Sequence, residues 1–136
     1  MKNLFDIKGQ VVVITGGTGV LGKAIAIHLA EEGAKVVILG RKAEVGNALV
    51  NEIKQKGGEA MFLTTDVMNR NALEQNLTDI LATYGRVDAL LNAAGGNMPG
   101  ATIAPTGTFF DLKVEEFQKV LKSMPGVNVT LTETRI

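Results

Sequence analysis

Four β-branched residues in a row, Val11-Val12-Val13-Ile14, run directly into Thr15-Gly16-Gly17-Thr18-Gly19-Val20-Leu21-Gly22. A helical pattern starts inside that glycine-bearing segment. No other feature narrows the fold as much. A continuous β-branched run suits a strand covered on both faces, as in a parallel sheet. Gly17 to Gly22 match G-x-G-x-x-G, a weak pattern alone, but here it follows a buried strand and opens a helix. Glycines at this spacing let the backbone turn tightly and approach an anion closely. The free N–H groups and positive dipole end of the helix then hold that anion. The segment predicts a pyrophosphate-binding turn; the alternative is a glycine-rich strand-to-helix turn with no ligand.

Beyond it, Leu21, Ala24, Ile25, His28 and Leu29 recur at three- and four-residue spacing and predict a helix with that stripe inward. His28, the only histidine, reads as a packed helix residue and not as a base. Gly33 stands where a helix C-terminal glycine belongs. Residues 36–39 predict a second buried strand, 43–56 a more polar helix stopped by Gly57-Gly58, and 60–64 a third strand. A helix follows over 71–84 with Leu73, Leu77, Ile80, Leu81 and Tyr84 inward, and then a fourth strand over 87–91. Strands alternating with helices of this length mean right-handed βαβ units, with helices on both faces of a parallel sheet. The expected fold is therefore α/β, a doubly wound parallel sheet of Rossmann type with four or five strands.

Residues 93–113 form a glycine- and proline-bearing loop, longer than compact domains usually tolerate without a function. A short helix is expected over 114–123, with Phe109 and Phe110 before it read as core. Met124-Pro125-Gly126 reads as a stop, and residues 127–132 alternate apolar and polar as a half-buried strand does. In the strand order 3-2-1-4, strand four is left as an exposed edge. Residues 127–132 either pair beside 87–91 and cover that edge or form a tail. An uncovered edge favours self-association, so a homo-oligomer is a candidate state.

At 136 residues the chain suits one ordinary domain. Its 14 Lys+Arg balance 14 Asp+Glu, which excludes the strongly basic face of a dedicated nucleic-acid binder. Without cysteine it has no disulfide framework, thiolate metal site or cysteine nucleophile. No apolar run is long enough to span a bilayer, and the first ten residues lack a secretory pattern, so a cytoplasmic protein with no membrane partner is expected.

An acidic residue at the end of strand two would bind a ribose 2′-hydroxyl and favour NAD. The sequence there is Leu39-Gly40-Arg41-Lys42, with no carboxylate at Gly40. A guanidinium at Arg41 pairs well with a 2′-phosphate, which tilts the choice between NAD and NADP toward NADP. The alternative is that Arg41 and Lys42 are a solvated loop.

The run from Thr15-Gly16 to Gly22 resembles the cofactor loop of the short-chain dehydrogenase/reductase family, T-G-x-x-x-G-x-G. Val20 stands at the middle glycine position, with Gly19 just before it. This Gly-Val-Leu-Gly variant is similar to the D-mannonate oxidoreductase (fructuronate reductase) branch. Asp66-Val67 resembles the acidic position after strand three, which in the family contacts the adenine. Asn92-Ala93-Ala94-Gly95 resembles N-N-A-G with Ala93 for the second asparagine. Gly95-Gly96-Asn97-Met98-Pro99 and Thr108-Phe109-Phe110-Asp111-Leu112 resemble that branch's loop beside the nicotinamide. The resemblance covers about residues 5–121. It implies a dinucleotide-binding domain over 1–121, a divergent C-terminal segment over 122–136, and hydride transfer between NAD(P) and a sugar-acid ketone or alcohol. The implied cofactor contacts are Thr15, Gly16, Gly17, Thr18, Gly19, Val20, Leu21, Gly22, Arg41, Asp66, Val67, Asn92, Ala93, Ala94 and Gly95. Plainer roles stand beside three of these: Asp66 as the cap of the next helix, Asn92 as a backbone partner between strands, and Gly95 as a close-approach glycine for another loop.

The family's proton chemistry needs Tyr-x-x-x-Lys on one helix with a serine nearby. The spacing matters because i and i+4 share a helix face, so the ammonium can reach the phenol. Here the single tyrosine, Tyr84, is followed four positions later by Asp88, and the single serine is Ser123. The helix asparagine expected near Met124 is also missing. No catalytic or metal-binding residue is therefore assigned. The chain is expected to bind cofactor without turnover on its own. The rival classes are a non-catalytic nucleotide-binding module and an inert truncated fragment.

Overall fold

The computed structural model describes residues 5–95, 102, 103, 105–111 and 113–123. The chain divides into two compact units, Met1–Ala93 and Ala94–Ile136. The first alternates strands and helices: β1 (Val11–Thr15), α1 (Val20–Glu31), β2 (Lys35–Gly40), α2 (Ala43–Gln55), β3 (Glu59–Thr64), α3 (Arg70–Tyr84) and β4 (Ala89–Asn92). All pairings are parallel and the order is β3-β2-β1-β4. This is the doubly wound α/β sheet that the sequence predicts, with four strands among the described residues. The fifth candidate, 127–132, lies outside them.

Burial explains why the central strands carry unbroken apolar runs. β1 is buried throughout and β2 nearly so, because each has strands on both sides and helices above and below. Their side chains alternate between two cores. Val12, Ile14, Val36, Ile38 and Ala60 meet Ala26 and Ala30 of α1 and Leu49, Val50 and Ile53 of α2. Val11, Val13, Val37 and Leu39 meet Ile80 of α3, with Met61, Leu63, Leu73 and Tyr84 around them.

Two helix phases differ from the expectation. The buried line of α1 is Gly22, Ala26 and Ala30, whereas Leu21, Ala24 and His28 are exposed. Almost every position of α1 is apolar, so periodicity alone leaves its phase open, and close approach to β1 selects the smallest side chains. In α3 the inward line runs Leu73, Asn76, Ile80 and Tyr84, while Leu77 and Leu81 are exposed. A single helix of the Met1–Ala93 unit lies over this face, so only a narrow line is covered.

The amino end of the sheet is tied by polar groups. The Asp88 carboxylate accepts the Val11 N–H at 2.8 Å and the Arg86 Nε–H at 2.9 Å, and its own N–H donates to the Val11 carbonyl at 2.9 Å. The Val11 N–H, and then Arg86, hold the Asp88 carboxyl below the usual carboxylate range. Lys35 and Glu59 form a cross-strand ion pair at 3.4 Å, and the Lys35 ammonium lies 5.3 Å from the centre of the Tyr84 ring. Burial, and then Glu59, push the Tyr84 phenol up.

In the second unit, residues Phe109–Asp111 form a 3-10 turn and Val114–Ser123 form α4. The Asp111 carboxylate accepts both the N–H and the hydroxyl of Thr108, which lowers its pKa. Phe110 is 93% exposed, against the expectation that it is core. The turn aims it outward, and the side chain of Phe109 lies outside what is described.

Candidate functional site

In an open parallel sheet, ligands bind beyond the carboxyl ends of the strands, where the chain reverses the direction in which it adds strands. Here β2 and β3 are added on one side of β1 and β4 on the other, so that point lies between β1 and β4. The register places Thr15 opposite Leu39 on one side and Asn92 on the other. Thr15 is buried, and its hydroxyl oxygen accepts the Ala93 N–H at 3.2 Å, joining the turns that leave β1 and β4.

The turn after β1 is built from backbone. Gly16 has φ +65, a left-handed conformation that glycine adopts at no steric cost. The Gly19 N–H closes onto the Gly16 carbonyl at 3.0 Å, and the Gly17 N–H reaches the Leu39 carbonyl at 3.3 Å. A side chain at Gly22 would place its Cβ 2.5 Å from the Gly16 oxygen and 2.7 Å from the Gly17 Cα. Only glycine lets α1 start this close to the turn. Gly19 precedes the helix without a side-chain cap, and the first intrahelical bond runs from the Lys23 N–H to the Gly19 carbonyl at 2.8 Å. Among the described residues the N–H groups of the first turn therefore take no side-chain cap, and they carry the positive end of the helix dipole. Val20 and Leu21 on that turn are 96% and 70% exposed.

At the end of β2, Gly40 is buried beneath Thr18; a Cβ there would lie 3.0 Å from both branches of the threonine. Arg41 and Lys42 are exposed, and neither makes an ion pair among the described residues. After β3, Asp66 is exposed and its carboxylate accepts the Met68 N–H at 2.9 Å, with Val67 between them. It does not cap α3. Asn69 does, accepting the Ala72 N–H at 3.2 Å. Asn69 directly precedes α3, and that shorter reach to the helix decides between two residues that can both cap.

Thr15 to Gly22, Gly40-Arg41, Asp66-Val67 and Asn92-Ala93 thus follow the carboxyl ends of four neighbouring strands. Ala94 and Gly95 open the second unit; Ala94 is half-buried and Gly95 has open space where a side chain would be. Gly96, Asn97, Met98, Pro99 and Leu112 lie outside the described residues. Tyr84 faces the opposite end of the sheet, beside Lys35 and Glu59. Sequence reasoning missed a buried pair, Thr65 and Asn76, whose only signal was an asparagine on an otherwise apolar helix line. Among the described residues no group of three or more His, Asp or Glu could hold a metal, and no helix is long and apolar enough to cross a membrane.

Comparison with known proteins agrees with this geometry. The family model for short chain dehydrogenases matches residues 10–132, which runs past residue 121. The uncharacterised oxidoreductase UxuB of Bacillus subtilis is 44% identical over 126 residues, 87% of this chain and 45% of UxuB. Sorbitol-6-phosphate 2-dehydrogenase of Klebsiella pneumoniae is 27% identical over 124 residues, 89% of this chain and 43% of that enzyme. A candidate D-mannonate oxidoreductase from Haemophilus influenza, solved with bound NAD, superposes with a TM-score of 0.78 at 28% identity, covering 94% of this chain and 49% of that one. A metagenomic short-chain oxidoreductase in complex with NADP gives 0.71 at 33% identity, covering 87% of this chain and 51% of that one. The chain spans about half the length of the relatives it matches.

Proposed function

Because the chain belongs to the short chain dehydrogenase family, we propose that it carries the dinucleotide-binding half of an NAD(P)-dependent oxidoreductase. One observation carries this reading: the left-handed Gly16, with α1 starting against it through Gly22 and without a side-chain cap among the described residues. That cradle fits a pyrophosphate, because its N–H groups and dipole supply positive charge without bulk. Backbone N–H groups of this turn other than those of Gly17 and Gly19, which already donate to the Leu39 and Gly16 carbonyls, would hold the phosphates. Asp66 and Val67 receive the adenine, and Asn92 to Gly95 border the nicotinamide side. When bound, the nicotinamide gives or takes the hydride at a carbinol or carbonyl carbon.

NADP is the preferred cofactor in this reading. Gly40 offers no carboxylate to a ribose 2′-hydroxyl, Thr18 occupies the space above it, and Arg41 is free to face a 2′-phosphate. The proposed substrate class is a sugar-acid ketone or its alcohol such as fructuronate, supported by the likeness to the D-mannonate oxidoreductase candidate.

The chain alone binds cofactor without turnover, since its sequence contains no Tyr-x-x-x-Lys pair and Tyr84 sits at the amino end of the sheet. Residues 1–121 act as the binding domain, 122–136 as a divergent segment, and the setting is cytoplasmic. Self-association is also proposed: among the described residues β4 pairs only with β1 and exposes Leu90. Titration with NADPH and NADH, read by nicotinamide fluorescence, tests the reading. Binding of neither removes it, tighter NADH binding removes the NADP preference, and fructuronate turnover by the purified chain removes the claim of inactivity.

A further inference from the structure

Asn76 is buried on the line of α3 that otherwise presents Leu73, Ile80 and Tyr84 to the sheet. An amide there is costly to bury unless it is hydrogen-bonded, and a leucine would pack the same line without that cost. Its Nδ2 donates to the Thr65 hydroxyl oxygen at 2.5 Å. Thr65 is 2% exposed, and its hydroxyl proton goes to the Leu63 carbonyl at 3.0 Å. With one donor and one acceptor engaged, that hydroxyl has a single orientation. The Thr65 N–H donates to the Gly40 carbonyl at 2.8 Å. Thr65 directly precedes Asp66, and Gly40 directly precedes Arg41. One side chain on α3 therefore fixes, through one threonine, the two strand ends that carry the adenosine-facing residues.

We propose that Asn76 is a positioning residue for the adenosine half of the cofactor, acting through the buried Asn76–Thr65–Gly40 chain of hydrogen bonds. The proposal rests on the dinucleotide-binding reading above, and its test separates the two. Asn76→Leu keeps size and removes the donor; Thr65→Val keeps shape and removes the hydroxyl. Without Asn76 the β3–α3 turn loses its tie to α3 and keeps the Thr65 N–H to the Gly40 carbonyl and two local bonds, the Asp66 carboxylate to the Met68 N–H and the Asp66 carbonyl to the Asn69 N–H.

The first measurement needs no ligand. Amide hydrogen exchange of the free chain should speed up about tenfold at Thr65 and Met68 in Asn76→Leu, with the amides of β1 unchanged. The second is titration with NADPH and with adenosine 2′,5′-bisphosphate, which carries only the adenosine half. Both affinities should fall by the same factor, about fivefold to tenfold, in either single variant. The double variant should be no weaker than the singles, because both act through one chain of bonds. Leu77→Ala, exposed on the same helix, should leave both affinities unchanged. Unchanged exchange at Thr65 and Met68 overturns the proposal, as does faster exchange with wild-type affinity for the bisphosphate. Should the wild type bind no dinucleotide, the functional reading fails, and the exchange result still decides whether Asn76 orders the turn. If Asn76→Leu does not fold, Thr65→Val alone is decisive by the same two measurements.

Discussion

Replacing Gly22 by alanine puts one methyl group where the start of α1 meets the turn after β1. Its Cβ would lie 2.5 Å from the Gly16 oxygen and 2.7 Å from the Gly17 Cα. Ordinary contact begins near 3.4 Å, so the helix must retreat by about 0.9 Å, and it meets backbone that no rotamer can clear. Gly16 cannot yield easily, because its left-handed φ of +65 is tied by the Gly19 N–H. Overpacking of this kind costs about 1–3 kcal/mol. Helix propensity returns about 1 kcal/mol for glycine to alanine. The net loss is up to about 2 kcal/mol, or up to about 1 M in urea midpoint at a slope of about 2 kcal/mol/M. The effect on binding is larger in proportion, since a displacement of about 1 Å can cost about a hundredfold where geometry is decisive. NADPH affinity should therefore fall at least about tenfold. Urea unfolding and fluorescence titration on the same preparation read both quantities. A variant that is more stable by about 1 kcal/mol, as propensity alone predicts, and binds NADPH as the wild type does would refute the close-approach reasoning.

Gly46→Ala should also destabilise, because its Cβ would lie 2.2 Å from two carbons of the Phe62 ring. A loss of about 1–2 kcal/mol in urea is expected, and truncating Phe62 should cost less in that background than in the wild type. Arg41→Ala should weaken NADPH by about tenfold and leave NADH within about twofold, measured by the same titration; equal loss for both would remove the 2′-phosphate contact. Asp88→Asn should lower stability at neutral pH. The folded-state pKa of Asp88 is depressed, so its contribution is present above the ordinary aspartate range and disappears as pH falls through the lowered value. Urea midpoints of wild type and variant should differ at pH 7 and converge in acid; a gap that persists in acid would contradict the role.

The central strands and the turn after β1 were legible because their constraints are local. A strand covered on both faces needs an unbroken apolar run, and a turn this tight needs glycine at set spacings. Helix phase was not local. α1 is apolar almost all round, so only proximity to β1 reveals that Gly22, Ala26 and Ala30 face inward. The burial of Asn76 is not legible from its own helix because its partner, Thr65, belongs to another element. Asp66 and Asn69 are both good capping residues, and the helix start chooses between them. Phe110 is apolar yet exposed, because hydrophobicity alone does not determine burial in a 3-10 turn. What spacing does carry is the lack of a lysine four positions after Tyr84: the residue there is Asp88, which instead holds the Val11 N–H.

In the proposed complex a dinucleotide lies across the carboxyl ends of the four strands. Amide chemical-shift mapping of the labelled chain during NADPH titration tests it directly. Saturable shifts are expected at residues 16–23, 40–42, 65–68 and 92–93, with the amino-end amides near Val11, Lys35 and Glu59 unmoved. Shifts confined to the amino ends, or no saturable shift at millimolar NADPH, would contradict it.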